Sequence, residues 1–410
     1  MGVGAVNAAT AVLTLKFAEE KALSHSEIVK AQGFDVQAAD AAVRSQFQVL
    51  LPRLALQGSY SFVSVIPELS FGGPKVKMGS NDNYSIGPVL SYTLWDGGSL
   101  SESYQSAVFL SQAKALEQTS AQDQLILNVR MAYLRYELAQ EEYAGIQESF
   151  KLSQSQNRDI SIRYQAGAAS RLDVLLASRQ MGGYELQLKQ KETALHDAKR
   201  ALFQLMGDPI GDPTTVPLED FTNLLVFARQ LPVRDLAQNP RYQALLRLVA
   251  ASQKAADALQ FKGGPTLQVS ATSTLAYPNG PILEQINQTI LGASLSIPLW
   301  LGDPSGDLST QKRSQSLADL SRATQLKLDL ELAQANAKDA IDNLSVQQGF
   351  AKRDLSQSQD IADLHYTAYK LGKVSFVDVQ SANTQVLLSR LNLVRVSFQL
   401  ISQYFTLSSL

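Results

Sequence analysis

The chain is written twice. Tyr164, Gly167, Ser170, Asp173, Val174, Ala177 and Gln180 reappear in order as Tyr369, Gly372, Ser375, Asp378, Val379, Ala382 and Gln385, each 205 positions later. Earlier in each half Leu94-Trp95 answers Leu299-Trp300, and Gly97 answers Gly302, at the same offset. Two stretches that share their turn chemistry at one fixed offset predict two related structural units in one chain. Whatever one half builds, the other is expected to build again, which points to architecture before chemistry.

Proline maps the elements within each half. None lies between Pro88 and Pro209, and none follows Pro304. Those stretches are rich in Ala, Leu, Gln, Ser, Lys and Glu, which sustain helices. The pattern predicts long helices over 99–165 and 304–371, shorter ones over 170–206 and 375–408, and helices ahead of the strands over 14–50 and 233–261. In the first long helix Leu125, Val129, Ala132, Tyr136, Ala139, Tyr143, Ile146 and Phe150 keep an unbroken 4-3 spacing, the seam of a coiled coil. The second copy repeats it less cleanly with Leu330, Gln334, Ala337, Ile341, Leu344, Gln348, Ala351 and Leu355. A helix of about 65 residues at 1.5 Å each runs roughly 100 Å, a length few compact domains can use.

Between the helices lie four segments of period two, predicted as strands over 54–66, 84–95, 266–277 and 289–300. Leu54, Leu56, Tyr60, Phe62 and Ile66 alternate with Ala55, Gln57, Ser59 and Ser61, and the other three segments follow suit. The polar face is almost entirely Ser, Thr, Gln and Gly. A soluble sheet with one buried face explains any single run of this kind. Four runs in two matched hairpins, each about the length of a tilted membrane strand, favour a membrane barrel. Four strands cannot close one, since the smallest barrels need about eight, and open edges are not tolerated in lipid. Several copies must therefore pool their strands, and three copies would supply twelve.

Charge and composition exclude other classes. A net charge of −2 gives no electrostatic case for nucleic acid. No segment approaches the roughly 18 consecutive apolar residues of a membrane-spanning helix. The absence of cysteine removes disulfides and thiolate metal sites. His25, His196 and His365 are scattered without metal-ligand spacing, and no phosphate loop, nucleophile elbow or zinc-protease motif occurs, so neither an enzyme, a cofactor nor a bound metal is expected. Residues 1–15 are apolar but lack a basic start, which makes them a poor secretory signal; a signal already removed from the chain is the expectation. Trp95 and Trp300 follow strand ends, where interface aromatics and helix–strand packing are equally good explanations.

The repeated turn motif has a direct physical meaning. Gly167 and Gly372 fall where a long helix must stop, and glycine accepts the left-handed conformation that ends helices. Ser170 and Ser375 then open the next helix, with Asp173 and Asp378 three residues on, the spacing of a capping box. The segment 207–232 joins the halves. Its Phe221, Leu224, Leu225, Val226 and Phe227 are too apolar for a solvated tether, so it is expected to pack against the helices as an equatorial connector. The predicted organisation is a first repeat over 1–206, the connector, and a second repeat over 233–410.

With its duplicated helix pairs and inserted strand hairpins, the chain resembles the TolC-like outer-membrane efflux proteins. Tyr164-Gln-Ala-Gly167-Ala-Ala-Ser170-Arg-Leu-Asp173-Val174, Tyr369-Lys-Leu-Gly372-Lys-Val-Ser375-Phe-Val-Asp378-Val379 and Leu94-Trp95-Asp96-Gly97-Gly98 carry the resemblance, which runs from about residue 13 to 408. It implies a mixed α+β membrane protein: a homotrimer whose twelve strands form one barrel in outer-membrane lipid and whose helices form a coiled-coil barrel in the periplasm. It implies an exit duct without chemistry, docking with a periplasmic adaptor and an inner-membrane pump of a tripartite efflux or type I secretion system. Asp378 then matches a ring aspartate of the periplasmic gate, Tyr369 a latch tyrosine and Asp173 its hydrogen-bond partner. Ser381 stands where a second ring acid is expected and Val374 where a latch arginine is expected; Arg171 and Lys373 are the cations nearby in sequence. The turns at Gly167, Ser170, Gly372 and Ser375 match the adaptor's landing surface. A soluble periplasmic coiled-coil adaptor or scaffold is the alternative; it would usually carry one helical hairpin in a β-rich body.

Overall fold

A computed structural model describes residues 12–70, 72–208, 216–299, 302 and 304–410. In chain order the elements are α1 (Leu15–His25), α2 (Glu27–Val49), β1 (Arg53–Phe62), β2 (Glu68–Leu69), β3 (Val76–Lys77), β4 (Asp82–Trp95), α3 (Ser99–Gln165), α4 (Arg171–Leu205), α5 (Phe221–Gln230), a 3-10 turn at Leu236–Gln238, α6 (Pro240–Lys262), β5 (Thr266–Tyr277), β6 (Ile286–Ser296), α7 (Ser305–Lys370) and α8 (Phe376–Ser409). They form two compact units. Of the described residues, one holds those up to Gln32, those within Gln118–Pro240, and Leu326–Leu410; the other holds those within Gly33–Glu117 and Arg241–Gln325. The boundaries fall inside α2, α3 and α7 and after the first residue of α6.

The first unit is helical, and its core follows the heptads. Leu125, Val129, Ala132, Tyr136 and Ile146 of the expected seam are buried, with Tyr136 and Val129 at 0% exposure. In α7 Ala337, Ile341 and Ala351 are buried and Leu330, Gln334, Leu344, Gln348 and Leu355 are half-buried, while the residues on the opposite face are exposed. The weaker second stripe is thus a working seam even with glutamine in it. The main core joins α1, α3, α4, α5 and α8 through Leu15, Tyr133, Leu202, Leu224 and Phe405. The connector meets α3 by hydrogen bonds: the Gln140 amide donates to the Val216 carbonyl at 2.9 Å and the Glu219 N–H donates to the Tyr133 hydroxyl at 2.9 Å. Arg130 ties the same region together, with Nε 2.6 Å from Glu19 Oε1 and its guanidinium over the Phe227 and Phe405 rings.

The second unit holds the four-stranded antiparallel sheet, ordered β1-β4-β5-β6. One row across it reads Leu54, Leu90, Ala271, Leu291 and the neighbouring row reads Arg53, Ser91, Ser270, Gly292. Opposed residues share a face, so the alternation seen in sequence becomes one apolar and one polar face. Gly87 is required on β4 because a Cβ there would lie 2.0 Å from the Ser273 carbonyl oxygen of β5.

Some boundaries differ from expectation. The helix over 14–50 is two helices, because Ser26 takes an extended backbone that ends α1 and its hydroxyl accepts from the Val29 N–H at 3.3 Å to open α2. The helix over 233–261 begins only at Pro240, which cannot donate and which disfavours helix in the residue before it. The strand over 54–66 stops at Phe62, and β2 and β3 form a separate two-stranded ribbon in the loop beyond. The last strand runs from Ile286 to Ser296, two residues short of Pro298. Residues 1–11, positions 209–215 of the connector and Trp300 lie outside the described residues.

Candidate functional site

The two repeated turns adopt the same backbone. Gly167 and Gly372 both sit at φ +74°, in the left-handed region. Around the first, Gly167 N donates to the Tyr164 carbonyl at 3.0 Å and Ala168 N to the Arg163 carbonyl at 2.7 Å; around the second, Gly372 N donates to Tyr369 at 2.9 Å and Lys373 N to Ala368 at 3.0 Å. This is the Schellman pattern, which satisfies carbonyls that the helix end leaves free. The following helix starts with a full capping box in both copies. Asp173 N donates to Ser170 Oγ at 3.1 Å and Ser170 N to Asp173 Oδ2 at 3.0 Å. Asp378 N donates to Ser375 Oγ at 3.4 Å and Ser375 N to Asp378 Oδ2 at 2.9 Å. The Ser375 hydroxyl and N–H bonds hold the exposed Asp378 carboxyl below the usual aspartate range.

Side chains make the two turns unlike. Tyr164 is 45% exposed, whereas its counterpart Tyr369 is 8% exposed, in a cluster with Ile160, Ala177, Phe376 and Val379. The Tyr369 ring lies 5.5 Å from that of Phe376, and the Arg163 guanidinium 5.7 Å from the Tyr369 centroid. Its hydroxyl is buried and has no hydrogen-bond partner among the described residues. Burial and the nearby Asp173 charge push the Tyr369 hydroxyl up. Asp173 itself bonds Ser170 and not Tyr369.

The contacts that join the helix pairs involve residues the sequence did not single out. Tyr366 of α7 donates its hydroxyl to Asp159 Oδ2 of α3 at 3.0 Å. Arg163 Nε lies 3.7 Å from the same oxygen, and its Nη2 donates to the Lys370 carbonyl at 3.3 Å, near the end of α7. Lys370 Nζ sits 4.4 Å from the Tyr366 ring centroid. Burial first, then the bond to Asp159 and its charge, push the Tyr366 hydroxyl up to about 12. Further along, Gln380 Nε2 donates to the Leu176 carbonyl at 2.9 Å and Asn383 Nδ2 to Gln156 Oε1 at 3.1 Å. Val374 packs into the apolar cluster, and Ser381 is exposed. The cations against this cluster are Arg163 and Lys370, and not Arg171 or Lys373. The Tyr366–Asp159 bond spans 207 positions, so no local spacing could have revealed it.

On the sheet, the apolar face is exposed instead of buried: Leu54 is 71%, Leu56 72% and Leu291 77% exposed. At its hairpin end Tyr60, Tyr84 and Tyr277 form one row, with Tyr84 and Tyr277 stacked at 5.2 Å. At the helix end Trp95 pairs with Leu267 and is 51% exposed. Strands β1 and β6 are the edges of the sheet. No helix is long and apolar enough to cross a membrane, and no group of three metal-binding side chains occurs, both among the described residues.

Residues 19–208 match the family model described as outer membrane efflux protein. The pyoverdine export outer membrane protein OpmQ of Pseudomonas aeruginosa is 22% identical over 391 residues, covering 91% of this chain and 81% of that protein. Among solved structures, CusC superposes with a TM-score of 0.81 at 17% identity, over 96% of this chain and 90% of that one. VceC of Vibrio cholerae gives 0.80 at 15% identity, over 96% and 94%.

Proposed function

We propose that the chain is a member of the outer membrane efflux protein family, whose model matches residues 19–208, and that three copies assemble into one exit duct, with their strands in the outer membrane and their helices in the periplasm. Members of that family are channels and not enzymes, and the match over residues 19–208 together with the likeness to OpmQ supports the same role for this chain. The observation that carries the trimer is the sheet. Among the described residues nothing covers its apolar face, and its two edge strands have one partner each. Pairing β6 of one copy with β1 of the next would satisfy both edges, and three copies would close about twelve strands. The apolar face also has the dimensions of a bilayer. From Leu267 to Tyr277 is about ten residue steps, or about 33 Å along the strand. Tilted by about 40°, that becomes about 25 Å, the height of a barrel's apolar band, with Tyr60, Tyr84 and Tyr277 at one rim and Trp95 at the other.

The turn region is the proposed regulated entrance and the landing surface for a periplasmic adaptor, which links the duct to an inner-membrane pump. Asp173, Tyr369 and Asp378 belong to this gate. Gly167, Ser170, Gly372 and Ser375 shape its surface. Asp159 and Tyr366 supply the bond that holds α3 to α7, while Tyr369 contributes through its ring. The duct is tested on protein extracted from outer membranes. Native mass spectrometry should give the mass of three chains, and planar bilayers should register ion-conducting channels. A monomeric mass without conductance, or recovery in the soluble fraction without detergent, would overturn it.

A further inference from the structure

We propose that the helical unit carries a binding site for an amphiphilic organic cation, in a cavity lined by α3, α4, α7 and α8. The cavity holds about 460 Å³, inside the range of roughly 300–1,000 Å³ common for small-molecule sites. Its apolar wall draws on all four helices through Leu152, Tyr184, Ala362 and Leu387. Tyr184 and Leu387 are 6% exposed each, so this wall is fixed by packing.

The charges select the ligand. Glu148, Asp360, Asp363 and Arg390 all line the cavity, for a net charge of −2. Arg390 lies across Gly145, where a Cβ would stand 3.5 Å from its Cδ and Nε, and its guanidinium donates to Glu148. That pair cancels internally and leaves Asp360 and Asp363 to set the potential. The deepest polar group, Gln156, is 3% exposed, and its Oε1 already accepts from Asn383. An anion would meet two carboxylates. A small hydrated cation would leave the apolar wall uncovered. A delocalised or quaternary cation with an aromatic or aliphatic body satisfies both, with Tyr184 able to face the charge. Gln156 is one helical turn from Asp159 and Asp363 one turn from Tyr366, so an occupant would bear on the bond between α3 and α7.

The inference stands apart from the duct, because it is tested by binding alone. Tetraphenylphosphonium is titrated calorimetrically into the full chain held in phosphatidylcholine nanodiscs, with tetraphenylborate as the matched anion and the uptake of each ion by protein-free nanodiscs of the same lipid subtracted. The expected result is saturable binding of one tetraphenylphosphonium per chain and none of the borate. The double substitution Asp360→Asn with Asp363→Asn, both on an exposed helix face, should weaken binding roughly tenfold or more. Leu387→Trp should fill the cavity and abolish binding. Equal binding of both ions, uptake that never saturates, or unchanged affinity in the double variant would overturn the proposal.

Discussion

Replacing Tyr366 with Phe removes one hydroxyl and leaves the ring that packs under Lys370. That hydroxyl makes the 3.0 Å bond to Asp159. A hydrogen bond to a charged acceptor contributes roughly 1.5–3 kcal/mol. The pair is only partly buried, which places the loss near the lower figure, about 1.5 kcal/mol. If the bond holds the entrance closed, the open population should rise about tenfold, since about 1.4 kcal/mol is a decade in an equilibrium constant. Conductance in planar bilayers reads this directly. Asp159→Asn should act in the same direction, and the double variant should fall short of additivity because both remove one interaction. Tyr369→Phe is the control, because its hydroxyl has no partner among the described residues, so its removal breaks no bond and should not raise the conductance. If Tyr369→Phe opens the channel and Tyr366→Phe does not, the closing bond belongs to Tyr369 and the assignment to Asp159–Tyr366 is wrong.

Three further outcomes follow from the geometry. Glu137 is 5% exposed, and burial, then the charges of Glu141 and Asp220, raise its carboxyl to about 8. The folded chain then keeps a proton that the unfolded chain gives up, so this contribution is complete below the ordinary glutamate range and is lost as pH rises through about 8. Glu137→Gln should therefore lose much of the fall in melting temperature between pH 5.5 and 8.5, on the order of a few kcal/mol at the alkaline end; an unaltered pH profile would count against it. Gly372→Ala should cost about 1–2 kcal/mol in thermal unfolding, all of it backbone strain, since nothing lies within 4 Å of the added Cβ. Ala271→Arg, on the apolar face between Leu90 and Leu291, should cost roughly 2–4 kcal/mol and deplete the protein from the outer membrane, whereas Thr272→Arg on the polar face should be tolerated; equal loss from both would argue against a lipid-facing surface.

Elements with a one-dimensional signature were legible in the sequence. Proline-free runs and heptads marked α3 and α7, the two-residue alternation marked the strand faces, and Ser-x-x-Asp marked both capping boxes. The breaks at Ser26 and before Pro240 were missed because a single residue decides them against favourable helix composition on either side. The turn contacts were hidden for another reason. Tyr164 and Tyr369 stand in the same motif, yet one is exposed and the other buried. Only the fold shows that Tyr366, three residues before the motif tyrosine, is the one that reaches across to Asp159.

The offset of 205 that reveals the repeat also shows where the halves part. Shifted by that offset, Asp159 falls on Leu364 and Tyr366 on Ser161; Arg163 falls on Ala368 and Lys370 on Gln165. Leu364 is 69% exposed, and the Ser161 hydroxyl donates to the Asn157 carbonyl of its own helix. No equivalent of the Asp159–Tyr366 bond can form with the roles exchanged. Glycine, serine and aspartate are duplicated because each long helix must be ended and the next begun, a backbone requirement that is the same in both copies. The bond between helix pairs answers to no such requirement and occurs once. In the proposed three-copy ring, junctions within a chain would carry this bond, and junctions between chains, where the corresponding positions hold leucine and serine, would lack it. Opening should then begin between chains, which makes the junctions without the bond the place where an adaptor gains most by pulling.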